Sequence, residues 1–220
     1  MTQTSSPKRE SAARAEPEQT VFVVDDEASV RDSLRWLLES IRLRVETFDS
    51  AESFLQALRP EHSGCIVLDV RMPGLSGPEL MERLARSGIS LPIIFLSAHG
   101  DVPLAVRAMK AGAFDFMQKP YNGQQFIERV HQALKQDAQN RGERQRHDHL
   151  ATSLARLTVR EKQILDRVVG GKSNKLIARE LNLSHKTVEA HRSRLMHKMG
   201  VANFAELLQL VLTQGEPKAH

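Results

Sequence analysis

Several charged or hydroxyl side chains lie at the carboxyl ends of short apolar runs in this sequence. They are Asp25 and Asp26 after Val21–Val24, Asp69 within Cys65–Val70, Ser97 after Leu91–Leu96, and Lys119 after Ala113–Met117. If these runs are parallel strands, their carboxyl ends share one edge of a sheet, which is where ligands of open α/β proteins bind. Three carboxylates, a hydroxyl and an ammonium would then face one another.

This set of groups suits the transfer of a phosphoryl group. Clustered carboxylates repel one another, and Mg²⁺ relieves that repulsion because it prefers a few carboxylates, waters and a phosphate oxygen. Ser97 and Lys119 supply donors that hold a tetrahedral phosphoryl group. Asp69 is then the candidate nucleophile, which would attack phosphorus in line while Mg²⁺, Lys119 and Ser97 balance charge on the transferred oxygens.

Each of these residues alone also has a purely structural interpretation. Asp25–Asp26 is a common surface turn or cap, Lys119–Pro120 is a common loop, and Ser97 is a suitable cap for the next segment. The combination is more specific, because four strand ends in the correct order each supply a residue type that the reaction requires.

The elements that must position these residues alternate along residues 20–135. Short apolar runs, with a weaker one at Val45–Phe48, lie between amphipathic segments such as Val30–Ile41 and Gly77–Ala85. Short runs that are partly β-branched or aromatic are typical of parallel strands buried on both faces. The pattern predicts an α/β domain with a doubly wound, five-stranded parallel sheet.

Residues 154–212 carry helical patterns only, and they predict a small all-α domain. The predicted helices are Val159–Val169, Asn174–Leu181, His185–Met199 and Asn203–Leu212. Gly170–Gly171 separates the first two helices, Ser184 is a suitable N-cap, and Gly200 is a suitable C-terminal stop.

Three further segments lack the apolar residues of a core. Residues 1–19 are polar, have no apolar stretch of a secretory signal, and are predicted to be a disordered N-terminal tail; residues 213–220 form a C-terminal tail. Residues 136–153 are predicted to be a linker, with Leu150 as their one large apolar residue. Their Gln, Ala, Arg and Glu residues favour a continuation of the preceding helix, whereas Gly142 favours a break.

The charge of the chain is unevenly distributed. Residues 154–220 contain 12 Lys and Arg against 6 Asp and Glu, whereas residues 1–153 contain 19 against 21. A basic C-terminal region predicts a polyanionic partner, although a generally basic surface is the simpler alternative. Cys65 is the only cysteine, which indicates a reducing compartment and hence the cytoplasm. No uncharged apolar run reaches the roughly 18 residues that a membrane helix needs, so no membrane association is expected.

Two of the predicted helices, Asn174–Leu181 and His185–Met199, have the lengths and spacing of a helix-turn-helix. The second helix would enter a DNA major groove. Side chains expected to face base edges are His185, Lys186, Glu189, Ala190 and Ser193. Side chains expected near phosphates are Lys172, Lys175, Thr187, Arg192 and Arg194. Without the motif, a solvated charged helix face would explain the same residues.

Residues 20–135 resemble the receiver domain of two-component response regulators, which has a flavodoxin-like fold. The resemblance is carried by Asp25, Asp26, Asp69, Ser97 and Lys119, by Pro73 and Gly77, and by the phrase AHGDVPLAVRAMKAGAFDFMQKP. It implies that Asp69 accepts phosphate from a sensor histidine kinase, in a regulator that loses its own phosphate and is not an enzyme. It also implies that Asp26, Asp69 and the backbone carbonyl of Arg71 bind Mg²⁺, that Asp25 holds a metal-bound water, and that Lys119–Pro120 is a cis peptide.

The same resemblance implies a switch. Ser97 would move to the phosphoryl oxygen, and Phe116 would turn into the vacated space, although an ordinary strand residue is the alternative for Phe116. Phosphorylation is expected to produce a two-fold homodimer through the surface at residues 102–116.

Residues 154–212 resemble the LuxR-type DNA-binding domain of the FixJ and NarL regulators. The matching residues include Leu157–Thr158, Gly171–Lys175, Ile177–Ala178, Lys186–Val188, His191–Arg192 and Lys198–Gly200, and the receiver motifs look most similar to the FixJ branch. The partners implied are a two-fold-related promoter in double-stranded DNA and RNA polymerase. Many relatives carry Lys or Arg at Glu189 or Ser193, so this chain is expected to read different bases.

Two other functions remain open. Aspartate-dependent phosphatases also use an Asp nucleophile with Mg²⁺, but they place a second carboxylate two residues later, where this chain has Arg71. The receiver alternatively serves only as a dimerisation module, which the complete set of five pocket residues argues against.

Overall fold

The computed structural model describes residues 18–98 and 102–212. The described residues fall into two compact units that divide between Gln139 and Asn140. Most of the predicted N-terminal tail and all of the predicted C-terminal tail lie outside the described residues. No helix within the described ranges has both the length and the apolar character to cross a membrane.

The first unit is a five-stranded parallel sheet flanked by helices, as the sequence predicted. The strands are β1 (Thr20–Val24), β2 (Arg44–Phe48), β3 (Gly64–Asp69), β4 (Ile93–Ser97) and β5 (Asp115–Gln118). The helices are α1 (Ala28–Ser40), α2 (Ala51–Ala57), α3 (Gly77–Arg86), α4 (Val102–Lys110) and α5 (Gly123–Ala155), of which the residues up to Gln139 belong to this unit. The strand order β2-β1-β3-β4-β5 places the ends of β1 and β3 side by side.

The central strands are buried on both faces, which explains why they are continuous apolar runs. Every residue of β1, β3 and β4 is buried. Successive side chains of a strand point to opposite faces, so Phe22 and Ile66 join one core cluster while Val21 and Cys65 join the other, which α1 and α5 complete.

One acidic residue of the segment predicted to be a linker is buried in this unit. Residues 136–153 are helical and belong to α5. Asp137, on this helix, accepts hydrogen bonds from Ser63 Oγ at 2.7 Å and from the Gly64 backbone N–H at 2.8 Å. Gly64 has a φ of +138°, and a Cβ there would lie 1.8 Å from the Thr20 carbonyl oxygen, so only glycine allows β3 to begin in this way.

The second unit contains the predicted helices α6 (Val159–Val169), α7 (Asn174–Leu181), α8 (His185–Met199) and α9 (Phe204–Leu212). The Ser184 side chain accepts from the Thr187 N–H and begins α8, and Gly200 ends that helix in the left-handed conformation. The core of this unit is formed by buried apolar residues of α6, α7 and α8, and Leu150, Leu157 and Leu207 join them. These core residues are Ile164, Leu165, Val168, Ile177, Leu181, Val188, Leu195 and Met199.

Candidate phosphoacceptor pocket and DNA-binding surface

The pocket is built where β1, β3 and β5 end. The Lys119 ammonium donates to Asp25 Oδ2 at 2.7 Å and to Asp69 Oδ1 at 2.9 Å. The side chains of Asp25, Asp69 and Lys119 are 3%, 11% and 19% exposed. Three predicted site residues that are far apart in the sequence therefore meet, and Asp69 retains access to solvent.

Backbone groups fix the two carboxylates in the pocket. The Glu27 N–H donates to Asp25 Oδ1 at 2.9 Å, and the Arg71 N–H donates to Asp69 Oδ2 at 2.7 Å. On the Lys119 side, the backbone N–H donates to the Ser97 carbonyl at 2.7 Å, and the Lys119–Pro120 bond is cis as the resemblance implied.

Burial and charge pairing act against each other in this pocket. Burial raises the pKa of Asp25, and the hydrogen bonds from Lys119 and from the Glu27 N–H offset only part of that rise. Burial lowers the pKa of Lys119, but its hydrogen bonds to Asp25 and Asp69 together outweigh that effect, so the pKa lies above its ordinary value. Lys119 is therefore a permanent cation at neutral pH.

The third carboxylate, Asp26, is exposed. Within the described part of the chain, no cluster of three or more Asp, Glu, His or Cys side chains is arranged to hold a metal ion. Asp25 and Asp69, which both contact Lys119, are oxygen ligands of the type that Mg²⁺ prefers. The donor chemistry thus fits the implied ion, while the Asp26 and Arg71 contacts stay predictions.

The two residues predicted to form the switch, Ser97 and Phe116, lie on the neighbouring strands β4 and β5. Ser97 is buried at the end of β4. Phe116, on β5, is half-buried and packs against the first core cluster, with its ring centroid 6.4 Å from that of Phe95. The backbone of Gly77 lies close to the end of β3. A Cβ at Gly77 would lie 2.4 Å from the Asp69 carbonyl oxygen, which explains why a glycine stands at this position.

The side chains predicted to read bases are all exposed and lie on the first nine residues of α8. They are His185, Lys186, Glu189, Ala190 and Ser193. His185 Nδ1 lies 3.5 Å from Glu189 Oε1, a pair that is ionic only when the imidazole is protonated. Two of the side chains predicted to read bases therefore lie close to each other.

The residues predicted near phosphates fall into two groups. Lys175 and Arg194 are exposed. Lys172 donates to Glu180 Oε1 at 2.5 Å, Arg192 Nη1 donates to Asn174 Oδ1 at 2.6 Å, and Thr187 Oγ1 lies 2.7 Å from Ser184 Oγ. The second group is thus already engaged within the domain.

Sequence reasoning did not predict the partners of these basic residues. Glu180 accepts from Lys172 and also from Arg167 Nε at 2.9 Å, and the Lys172 hydrogen bond is the main reason that the pKa of Glu180 lies below its ordinary value. Glu180 is eight residues from Lys172, so no helical spacing signals the pair.

Both units match known protein families. The family described as "Response regulator receiver domain" matches residues 21–131, and the family described as "Bacterial regulatory proteins, luxR family" matches residues 155–211. The first match contains all five pocket residues, and the second contains the whole predicted DNA-contact set.

Similar proteins cover nearly the full length of the chain. "Transcriptional regulatory protein TdiR" of Thauera aromatica is 52% identical over 88% of this chain and 85% of the relative. "Transcriptional regulatory protein FixJ" of Bradyrhizobium diazoefficiens is 41% identical over 89% and 95%. The solved structure of the response regulator StyR has 47% identity and a TM-score of 0.83, and the match covers 89% of this chain and 99% of that one.

Proposed function

The chain belongs to the transcriptional response regulators that combine a receiver domain with a LuxR-type DNA-binding domain, and we propose that Asp69 is its phosphoacceptor. A receiver domain implies a sensor kinase as partner, and a LuxR-type domain implies DNA binding. In the proposal, phosphorylation of Asp69 by a cytoplasmic histidine kinase domain controls how α8 binds promoter DNA. The relatives are named as transcriptional regulators, so a phosphatase that turns over small esters has no support.

The contact of Lys119 with both carboxylates carries this proposal. One Asp69 oxygen forms the new bond to phosphorus, and the bond between phosphorus and the imidazole nitrogen of the kinase phosphohistidine breaks. Lys119, which already lies 2.9 Å from Asp69 Oδ1, then donates to a phosphoryl oxygen, and the Ser97 hydroxyl supplies a second donor. The phosphoryl charge is thereby balanced by Lys119, which is in place before the reaction, and by Ser97, which moves to the phosphoryl oxygen.

Mg²⁺ is the proposed cofactor, with Asp26, Asp69 and the Arg71 carbonyl as ligands and Asp25 holding a bound water. When bound, the ion neutralises charge on the phosphate oxygens. Lys119 holds Asp25 and Asp69 together, so these two carboxylates are positioned before an ion arrives. In the proposal, Asp26 and the backbone oxygen of Arg71 supply the remaining protein ligands.

The proposed output of the switch is a homodimer through α4 and β5. Ser97 is the last residue of β4, and Phe116 lies within β5, which is part of this surface. Helix α4 exposes apolar side chains: Val102 is 70% exposed, and Val106 and Met109 are also exposed. Exposed apolar side chains in a row favour a partner surface, and a second copy of the chain provides an identical one. RNA polymerase is a further proposed partner at the promoter.

Mass spectrometry tests the phosphoacceptor. Incubation of the full chain with acetyl phosphate and Mg²⁺ is expected to add about 80 Da, the mass of one phosphoryl group, to Asp69, and Asp69→Asn is expected to remain unmodified. Absence of the adduct from the wild type, or its retention in the variant, would overturn the assignment.

DNA binding separates the proposal from a receiver that serves only for dimerisation. With phosphodonor present, the wild type is expected to bind a duplex selected from a random pool more tightly than Asp69→Asn does. Equal affinities would favour the dimerisation module. Lys186→Ala is expected to weaken binding and to reduce its salt dependence by about one counterion, whereas an unchanged affinity and slope would remove Lys186 from the interface.

A further inference from the structure

Arg192 is held between two other helices of the DNA-binding unit. Its Nη1 donates to Asn174 Oδ1, at the first residue of α7, over 2.6 Å. Its guanidinium carbon lies 5.4 Å from the centroid of the Phe204 ring, at the first residue of α9. Arg192 and Phe204 are both half-buried. One side chain on the recognition helix thus contacts the beginnings of the two neighbouring helices.

Neither contact neutralises the charge of Arg192. Other cations of this unit are paired with carboxylates: Lys198 with Glu161, and Lys172 with Glu180. The described partners of Arg192 are an amide oxygen and an aromatic ring, and it is in no ion pair among the described residues. A guanidinium has five N–H donors, and the Asn174 contact uses one. The group is therefore fixed in place but keeps its full charge and most of its donors.

We propose that Asn174 and Phe204 are positioning residues that hold Arg192 ready for a DNA phosphate. The inference rests on the proposed DNA binding by α8. A long, flexible side chain loses rotamer freedom when it binds a phosphate, and contacts that restrict it beforehand reduce that loss. The ring attracts the cation without removing its charge, whereas a carboxylate at the same place would compete with the phosphate.

Affinity measurements on the full chain, treated with phosphodonor and Mg²⁺, test this assignment against a duplex that the wild type selects from a random pool. Arg192→Ala is expected to weaken binding about ten-fold and to lower the salt slope by about one. Phe204→Leu, which keeps an apolar side chain but removes the ring, is expected to weaken binding about three- to ten-fold. Phe204→Tyr, which keeps the ring, is expected to bind within about two-fold of the wild type.

A double variant distinguishes positioning from a structural role. If Phe204 acts through Arg192, the variant with both Phe204→Leu and Arg192→Ala is expected to bind as Arg192→Ala alone does, because the two effects are not additive. Asn174→Ala is expected to behave as Phe204→Leu does, and it provides the test if the Phe204 variants lose their helical circular dichroism.

Several results would overturn the inference. Additive losses in the double variant would show that Phe204 supports the fold independently of Arg192. Normal binding by Arg192→Ala, with weakened binding by Lys186→Ala, would exclude Arg192 from the interface while leaving the proposed function intact. Absence of wild-type binding to any selected duplex would instead remove the proposed function, and this inference with it.

Discussion

The two candidate sites treat their charges in opposite ways. In the phosphoacceptor pocket, two carboxylates and one ammonium are largely buried and bound to one another. On the recognition helix, the predicted base-reading side chains are exposed. Of the basic residues predicted near phosphates, Arg192 is bound by an amide oxygen and Lys172 by the Glu180 carboxylate at the surface of the unit. A single phosphoryl group requires partners that are already placed at short distance. DNA presents many phosphates, so the basic side chains that bind it need only be on the surface that faces it.

The largest effect on the free energy of unfolding is expected from removing the Lys119 ammonium. Lys119→Met leaves Asp25 and Asp69 buried without their shared partner, and such a loss typically destabilises a protein by about 3 kcal/mol. Lys175→Met, which removes an exposed lysine on α7, is the matched control and is expected to change the free energy of unfolding by less than about 0.5 kcal/mol. Chemical denaturation followed by circular dichroism measures both, and equal effects would show that burial does not distinguish the two sites.

Added Mg²⁺ provides a second measurement on the same variant. A divalent cation is expected to restore part of the stability of Lys119→Met because it relieves the repulsion between the carboxylates. Lack of any Mg²⁺ effect on unfolding would argue against metal binding at this edge of the sheet.

A second buried charge of the receiver unit lies far from the pocket. Asp137→Ala removes the acceptor of the Ser63 hydroxyl and the Gly64 N–H, and two buried donors without a partner are expected to cost about 2 to 3 kcal/mol. Asp148→Ala, at an exposed position of the same helix, is expected to be nearly neutral. Thermal unfolding compares the two, and similar melting temperatures would mean that water replaces the lost acceptor.

The DNA-binding unit contains one buried charge of its own. Glu161 Oε2 accepts from Lys198 Nζ at 2.7 Å and from the Thr158 backbone N–H at 2.8 Å, and its side chain is 3% exposed. The hydrogen bond from Lys198 is the main reason that the pKa of Glu161 falls from 4.5 to about 2. Buried charge pairing is therefore not limited to the receiver.

The depressed pKa predicts a pH dependence. A carboxyl whose folded pKa is lowered contributes stability above its unfolded pKa, and loses it as the pH falls toward the folded value. Glu161→Gln is expected to cost about 2 kcal/mol near neutral pH, with the difference from wild type shrinking between pH 4.5 and about 2. Urea unfolding at several pH values measures this, and a difference that is constant with pH would contradict the pairing with Lys198.

The smallest effect is expected from removing the carboxylate that pairs with Lys172, and it is an effect on DNA affinity. Glu180→Gln releases Lys172 from its ion pair and is expected to raise DNA affinity about two- to five-fold and to steepen its salt dependence. Glu206→Gln, an exposed residue of α9, is the control for a general change of net charge. An equal gain in both variants would mean that Lys172 is no specific phosphate contact.

Several elements could be predicted from local pattern. The strands at residues 20–24 and 64–69 are apolar runs because both faces are buried, and the helices of the second unit follow from their spacing and from Ser184 and Gly200. The residue types at the strand ends also predicted that Asp25, Asp69 and Lys119 would meet in the pocket, since parallel strands end at a common edge.

Other features carry no local signal. Asp137 lies in a polar stretch that reads as a linker, yet it is buried because Ser63 and Gly64, more than 70 residues away in the sequence, supply its donors. The Lys172–Glu180 ion pair follows no helical period, because Lys172 lies in the turn before α7. The contacts of Arg192 with Asn174 and Phe204 follow none either, because these three residues lie on different helices.

The order of residue types along the chain was thus sufficient to predict the two kinds of domain and to propose a chemistry for each, because backbone periodicity and strand-end chemistry are local properties. Which charges are paired, buried or left available depended on folding. Such pairings join residues that are remote in the sequence, and packing of the cores is what brings these residues within hydrogen-bonding distance.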